Sequence, residues 1–162
     1  MGSTSIAWCT DVWNPVTGCS KVSQGCKHCY AEGVANRFWG DRRFTDVQCH
    51  PERLDQPLRW RRPRRVFVNS MSDLFHEDVP DEFIAQVFAV MALSPRHTFQ
   101  IMTKRPERMR ALLRDGEFWC TVGDCASDAS GPLAVDHPLP NVWLGVSAED
   151  QETADERIPL LL

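Results

Sequence analysis

The 162-residue sequence has no apolar run approaching the ~20 residues that a membrane helix needs, and Met1-Gly2-Ser3-Thr4-Ser5-Ile6 contains no basic segment leading into an apolar core. The expectation is therefore a chain without a membrane span or secretion leader, located in the cytoplasm. Internal repeats and low-complexity tracts are missing as well, which argues against solenoids and disordered tails. Basic residues nearly vanish after position 114: residues 115–162 hold one Arg against ten acids, whereas residues 1–114 hold 17 Lys and Arg against 12 Asp and Glu. A net charge of −4 thus hides a basic front and an acidic rear.

Cysteine is what the chain has in plenty. There are seven, an odd number that excludes complete internal pairing, and a reducing cytoplasm asks for a use other than disulfides. Three of them form a C-x6-C-x2-C triplet, Cys19, Cys26 and Cys29, with Gly18 and Gly25 allowing the backbone to fold tightly around a centre. Three thiolates fit two chemistries. A tetrahedral zinc would need a fourth ligand from His28, Cys9, Cys49 or His50. A four-iron, four-sulfur cubane normally takes four cysteines, so three would leave one iron open to a non-protein ligand. No second C-x2-C pair accompanies the triplet. Cys9, Cys49, Cys120 and Cys125 read as ordinary reduced thiols.

The rest of the chain alternates strand and helix. A first strand is expected over 13–17 and a helix over 30–39, ending at Gly40. Val66-Phe67-Val68 reads as a strand. Asp78 and Pro80 open a helix whose Phe83, Ile84, Val87, Phe88 and Met91 fall on one face. Residues 98–103 form the next strand, and Pro106 opens a helix with Met109, Leu112 and Leu113 inward. Residues 120–141, rich in Gly, Pro, Asp and Ser, read as a long acidic loop. A strand over 142–146 and a helix from Glu149 to the end complete the pattern. This is an α/β chain of about four parallel βα units, either an open sheet or the first half of a (β/α) barrel. It forms one domain over residues 1–162. The apolar Leu160-Leu161-Leu162 end, which lacks a C-cap glycine or polar tail, suggests that the domain is incomplete at its C-terminus. An uncovered edge and face would then favour aggregation or pairing with another chain.

In such folds function gathers at the C-terminal ends of the strands. The candidates there are Asn69, Ser70, Ser72 and Asp73, then Lys104 and Arg105, then Ser147, Glu149 and Asp150. Asn, Ser and Asp at those places also serve as turn and cap residues. Asp11 and Glu32 read as surface acids. Trp8, Trp13, Trp60, Trp119 and Trp143 are expected to pack rather than stack on bases. The run Arg59-Trp60-Arg61-Arg62-Pro63-Arg64-Arg65 is a solvated connector or, through Arg59, Arg61, Arg62, Arg64 and Arg65, a phosphate grip for nucleic acid.

Trp13-Asn14-Pro15-Val16-Thr17-Gly18-Cys19, followed by Gly25-Cys26-Lys27-His28-Cys29-Tyr30-Ala31-Glu32, resembles the phage-encoded three-cysteine family related to radical S-adenosylmethionine enzymes. Residues 67–75, 102–106 and 141–147 carry the same resemblance, which extends from Trp8 onward. It implies a partial or full (β/α) barrel, a 4Fe-4S cluster at Cys19, Cys26 and Cys29, and S-adenosylmethionine at the open iron. Reductive cleavage would then give a 5′-deoxyadenosyl radical, with an external electron donor. Asn69, Ser70, Asp73, Lys104, Ser147 and Glu149 are the cofactor-binding candidates. Members of that family run on beyond the last residue here. The usual radical-enzyme loop is C-x3-C-x2-C, whereas the first gap here is six. The functional expectation is a radical S-adenosylmethionine-like iron–sulfur protein, with nucleic acid as one candidate substrate. The alternative is a zinc-stabilised nucleic-acid-binding protein without catalysis. Such a chain is further expected to hold a cluster yet turn over S-adenosylmethionine poorly by itself.

Overall fold

The computed structural model describes residues 4, 6–131 and 135–161. Most of Met1–Ile6, residues 132–134 of the expected loop and Leu162 of the apolar end lie outside the described residues.

Four parallel strands form the main sheet in the order β1 (Asp11–Trp13), β4 (Arg65–Val68), β5 (Thr98–Thr103), β6 (Val142–Val146). The register pairs Trp13 with Val68, Val68 with Ile101, and Ile101 with Leu144. Helices separate these strands: α1 (Tyr30–Phe38) before β4, α2 (Asp81–Ala92) before β5, and α3 (Pro106–Arg114) with α4 (Gly116–Ser130) before β6. Helix α5 (Gln151–Leu161) follows β6. Parallel βα units were expected and are present.

Side chains alternate across a strand, and here one face takes the apolar set. Val66, Val68, Phe99 and Ile101 are buried against Ile84, Val87, Phe88 and Met91 of α2 and Phe118, Trp119 and Val122 of α4. At ~1.5–3 kcal/mol for each fully buried large side chain, this layer is the main stabilising term. The other face presents Phe67, Gln100, Met102 and Trp143, with Trp8 edge-on to Phe67 at 4.6 Å. Trp143 is 57% exposed and Trp8 43%. Of the five named tryptophans, Trp13, Trp60 and Trp119 are buried as expected, Trp8 packs on Phe67 while partly exposed, and Trp143 is mostly exposed.

Two boundaries differ from the sequence reading. The expected strand over 13–17 breaks at Asn14-Pro15, because proline has no N–H for the ladder. Its second part, β2 (Val16–Thr17), leaves the main sheet and pairs antiparallel with β3 (Gln48–Cys49). The expected loop over 120–141 is helical as far as Ser130. Asp115 caps it by accepting from Glu117 N–H at 2.9 Å. Phe118, Trp119, Val122 and Ala126 then recur at helical spacing on a buried face, and that burial overrides the local turn composition. Asp11 is not a free surface acid either: it pairs with Arg64. Glu32 pairs with Lys21 at 3.0 Å.

Candidate functional site: a three-cysteine cleft at the strand ends

The turn that carries Cys19 is fixed by backbone geometry. Gly18 has φ +95°, and a β-carbon there would lie 2.7 Å from the Asp46 carbonyl oxygen and 2.9 Å from that of Phe44. Only glycine fits without strain. Gly18 N–H donates to Met71 O at 3.0 Å and Cys19 N–H to Phe44 O at 2.9 Å. Asn69, just past β4, takes φ 63°, a conformation that asparagine tolerates better than most. Its Oδ1 accepts from Val16 N–H at 3.2 Å, tying β2 to the end of β4.

Seven residues farther along, Cys26 ends a 3-10 turn over Gln24–Cys26, and Cys29 stands at the N-cap of α1. Glu149 braces this loop. Its carboxylate accepts from Ser23 Oγ and, at 3.2 Å, from Gly25 N–H, while Arg157 pairs with its other oxygen at 3.0 Å. A β-carbon on Gly25 would sit 2.6 Å from Glu149 Cδ.

The result is a cavity of about 160 Å³ at the C-terminal ends of β4, β5 and β6. Cys19, Cys26 and Cys29 all line it, together with Asn69, Ser70, Asp73, Lys104 and Ser147. Glu149 does not line the cavity; it holds the loop in place from behind. Among the described residues, no three His, Cys, Asp or Glu side chains meet as the shell of a metal ion. A single tetrahedral ion would draw its thiolates together through bonds of about 2.3 Å. A four-iron cubane instead takes one cysteine per iron, which spreads the sulfurs over separate corners.

Cys19 and Cys26 stand in different fields. Burial pushes Cys19 up to about 11, against the pull of the Arg105 guanidinium, whose Nη1 lies 3.6 Å from Cys19 Sγ. Burial also raises Cys26, but backbone N–H groups in the Val22–Ser23 turn and the Lys104 charge outweigh it and leave that thiol below its ordinary value. Cys26 is therefore biased toward the thiolate form that a metal requires.

Arg105, read from the sequence only as a strand-end residue, joins the cysteine loop to the sheet. It is 8% exposed. Its Nε pairs with Glu77 at 3.0 Å, Nη1 with Asp73 at 3.3 Å, and Nη2 donates to Ser20 Oγ at 2.8 Å. Asp73 in turn accepts from Thr103 Oγ1 at 2.8 Å and Lys104 N–H at 3.0 Å, so it anchors β5 to the turn after β4. Glu77 accepts from its own backbone N–H and from Arg105, which hold it down at about 2. His76, fully buried, accepts from Asp78 N–H at Nδ1, and its Nε2 lies 2.8 Å from Ser20 Oγ and 3.2 Å from Ser20 N, so the ring ties both ends of that residue to the turn after β4. Burial, then the Arg105 charge, keep the imidazole neutral by lowering its pKa. His76, Glu77 and Ser20 carried no sequence signal. Their long-range partners lie 28–85 residues away in the chain, and only the fold brings them together.

Residues 3–162 match a family described as protein of unknown function (DUF5131). The chain belongs to that family. The comparisons with curated proteins and with solved structures gave no match. The cysteine cleft of this family member is separate from its arginine run. Arg65 begins β4, at the opposite end from Asn69. Within the run Arg59 pairs with Asp55, and Arg64 pairs with Asp11 while stacking on Trp60 at 4.8 Å. Arg61 and Arg62 are exposed. Cys9 is buried, Cys49 and Cys125 are half-buried and Cys120 is exposed, all as free thiols. No helix among the described residues is long and apolar enough to cross a membrane.

Proposed function

We propose that this protein is a radical S-adenosylmethionine-like iron–sulfur protein whose cluster is held by Cys19, Cys26 and Cys29. The observation that carries the reading is the convergence of exactly those three thiols on one cleft with Asn69, Ser70, Asp73, Lys104 and Ser147 from three strand ends. When bound, such a cluster supplies an electron for reductive cleavage of a sulfonium cofactor. The chain's own residues hold, orient and screen. Gly18 and the Glu149 brace fix the loop, and Arg105 lays a positive charge and N–H donors beside Cys19, the kind of contact that tunes cluster potential. Lys104 is an ammonium facing the cleft, suited to a cofactor carboxylate. Ser70 is engaged with Asn14 and Tyr30 and shapes the wall, whereas Asn69 holds β2 through Oδ1 and keeps a buried Nδ2 without a hydrogen-bond partner among the described residues, a free donor beside the cleft.

Anaerobic reconstitution with iron and sulfide tests the proposal. The expected product is a brown protein with iron and acid-labile sulfide in equal amounts. The triple Cys19→Ala, Cys26→Ala, Cys29→Ala variant should stay colourless. A colourless parent chain holding stoichiometric zinc would favour the zinc-stabilised alternative and overturn the cluster. Production of 5′-deoxyadenosine with dithionite then reports on cofactor cleavage separately from cluster assembly.

A further inference from the structure

Behind the cysteine loop lies a second cleft of about 390 Å³, lined by Asn14, Thr17, Trp39, Arg42, Arg53 and Met71. Two of its six residues are cationic and none is acidic. Arg42 is built into place. Its Nη2 donates to Thr17 O and Thr17 Oγ1 at 3.0 Å each and to Asp46 O at 2.6 Å, and its guanidinium lies 4.2 Å from the centre of the Trp39 ring. Every one of those acceptors is neutral. The nearby Asp46 carboxylate is engaged by Arg43 at 3.0 Å. Among the described residues Arg42 has no ion pair, and its buried Nε has no hydrogen-bond partner.

Arg53 is similarly under-used. Its Nη1 donates to Asn14 O at 3.3 Å, and its only carboxylate neighbour among the described residues is the exposed Glu52, 3.5 Å away and shared with His50. Burial and, more weakly, the Arg53 charge disfavour the charged form of Arg42, and the nearby Asp46 carboxylate offsets them only in part. Two guanidinium groups lining one cleft, Arg42 fixed by its Nη2 bonds and Arg53 half-exposed, suit the oxygens of a phosphate group, which can lie between them with charge-assisted bonds. The volume admits more than inorganic phosphate alone, and Trp39 and Met71 provide an apolar wall for what the phosphate carries.

We propose that the Arg42–Arg53 cleft is a binding site for a phosphate group borne by a nucleotide or a nucleic-acid backbone. The site abuts the cysteine cleft: Asn14 Oδ1 accepts from Met71 N–H at 3.1 Å and from Ser70 Oγ at 3.2 Å, and Ser70 lines the cysteine cavity. A phosphate held there would sit just behind that cavity. The proposal is independent of whether the three thiols carry a cluster.

The test titrates the full chain with inorganic phosphate, adenosine 5′-monophosphate and a single-stranded oligonucleotide without terminal phosphate. Ionic strength is held constant with chloride, and tryptophan fluorescence and melting temperature are followed. Saturable binding of phosphate is expected. Arg53→Gln, which can still donate to Asn14 O, should weaken it about tenfold or more, the worth of a charge-assisted bond. Arg53→Lys should recover part of the loss. Arg61→Gln removes the same charge from the distant arginine run and should leave phosphate binding unchanged. Tighter binding of the mononucleotide assigns the ligand to free nucleotides, and tighter binding of the oligonucleotide assigns it to a nucleic-acid backbone. A non-saturating response, or equal losses in Arg53→Gln and Arg61→Gln, would mean general charge attraction only and would overturn the site.

Discussion

Arg105 and Cys19 are 86 positions apart in the chain, yet the guanidinium Nη1 of one lies 3.6 Å from the sulfur of the other. The contact makes the cysteine loop and the end of β5 one mechanical unit. Asp73, also buried, closes it by holding Arg105 and Thr103 together. Truncating one member of a buried charge pair strands the other, at a cost of roughly 3–5 kcal/mol. Asp73 keeps its bonds to Thr103 and Lys104 N–H, so the lower end applies. Arg105→Met should lose about 3 kcal/mol in urea unfolding, and Arg105→Lys less. A Met variant as stable as the parent would show that the pair is not part of the folded framework.

Cys19 gives this framework a pH signature in the metal-free chain. Burial raises its folded-state pKa from the ordinary 9.0 to about 11. The native state therefore keeps a proton that the unfolded chain releases, and stability falls as pH rises through that interval. The full stabilisation is present below about pH 9. Its loss between pH 9 and 11 is on the order of 2 kcal/mol, since one unit is about 1.4 kcal/mol and part of the group is solvated. Cys9, Cys49 and Cys125 shift in the same direction. The difference between the parent and Cys19→Ala isolates the Cys19 share, and Cys19→Ala should show the shallower decline. Parallel stability–pH curves would exclude the effect.

Gly18 and Gly40 both have positive φ, at +95° and +63°, but their surroundings differ. A β-carbon on Gly40 meets nothing within 4 Å, whereas on Gly18 it meets two backbone carbonyls inside 3.0 Å. Gly40→Ala should cost about 1 kcal/mol, the left-handed penalty alone. Gly18→Ala should cost clearly more, because Asp46 and Phe44 are main chain and cannot turn aside. It should also disturb the cysteine turn, visible as faster alkylation of Cys19. Equal melting temperatures for the two variants would remove Gly18 from its assigned role.

The legible part of this molecule was its local pattern. Val66-Phe67-Val68, the Phe83–Met91 face and the proline-opened helix after Lys104 follow from short-range periodicity, and the structure places them as expected. The triplet was legible because three thiols recur within eleven residues. Helix α4 was not, because Gly123 and the Asp and Ser residues around it mask a buried stripe from Phe118 to Ala126. Asp73 and Glu149 were picked out by their place after a strand, but the contacts that make them anchors come from Arg105 and Arg157. Arg42 and Arg53 gave no sequence signal. Their pairing depends on β2 folding out of the main sheet against β3, which follows from the Pro15 break.

Glu149 gives the most direct way to loosen the three-cysteine loop without touching a cysteine. Its carboxylate takes one bond from Ser23 Oγ, one from Gly25 N–H and an ion pair from the buried Arg157. Burial raises its pKa, but those partners outweigh it and leave the group below its ordinary 4.5. Its contribution is therefore present above that value and fades as pH falls through the lower folded-state pKa. Glu149→Gln keeps the size and an acceptor oxygen but strands Arg157, which is 6% exposed and also donates to Ser147 O at 2.5 Å. Removing the charge should cost about 1–3 kcal/mol. The loss should concentrate in the loop between Ser20 and Cys29, where limited proteolysis and amide exchange should accelerate several-fold while α2 and β5 remain protected. Uniform acceleration across the sheet would mean that Glu149 supports the fold as a whole, and unchanged exchange in the loop would mean that it braces nothing.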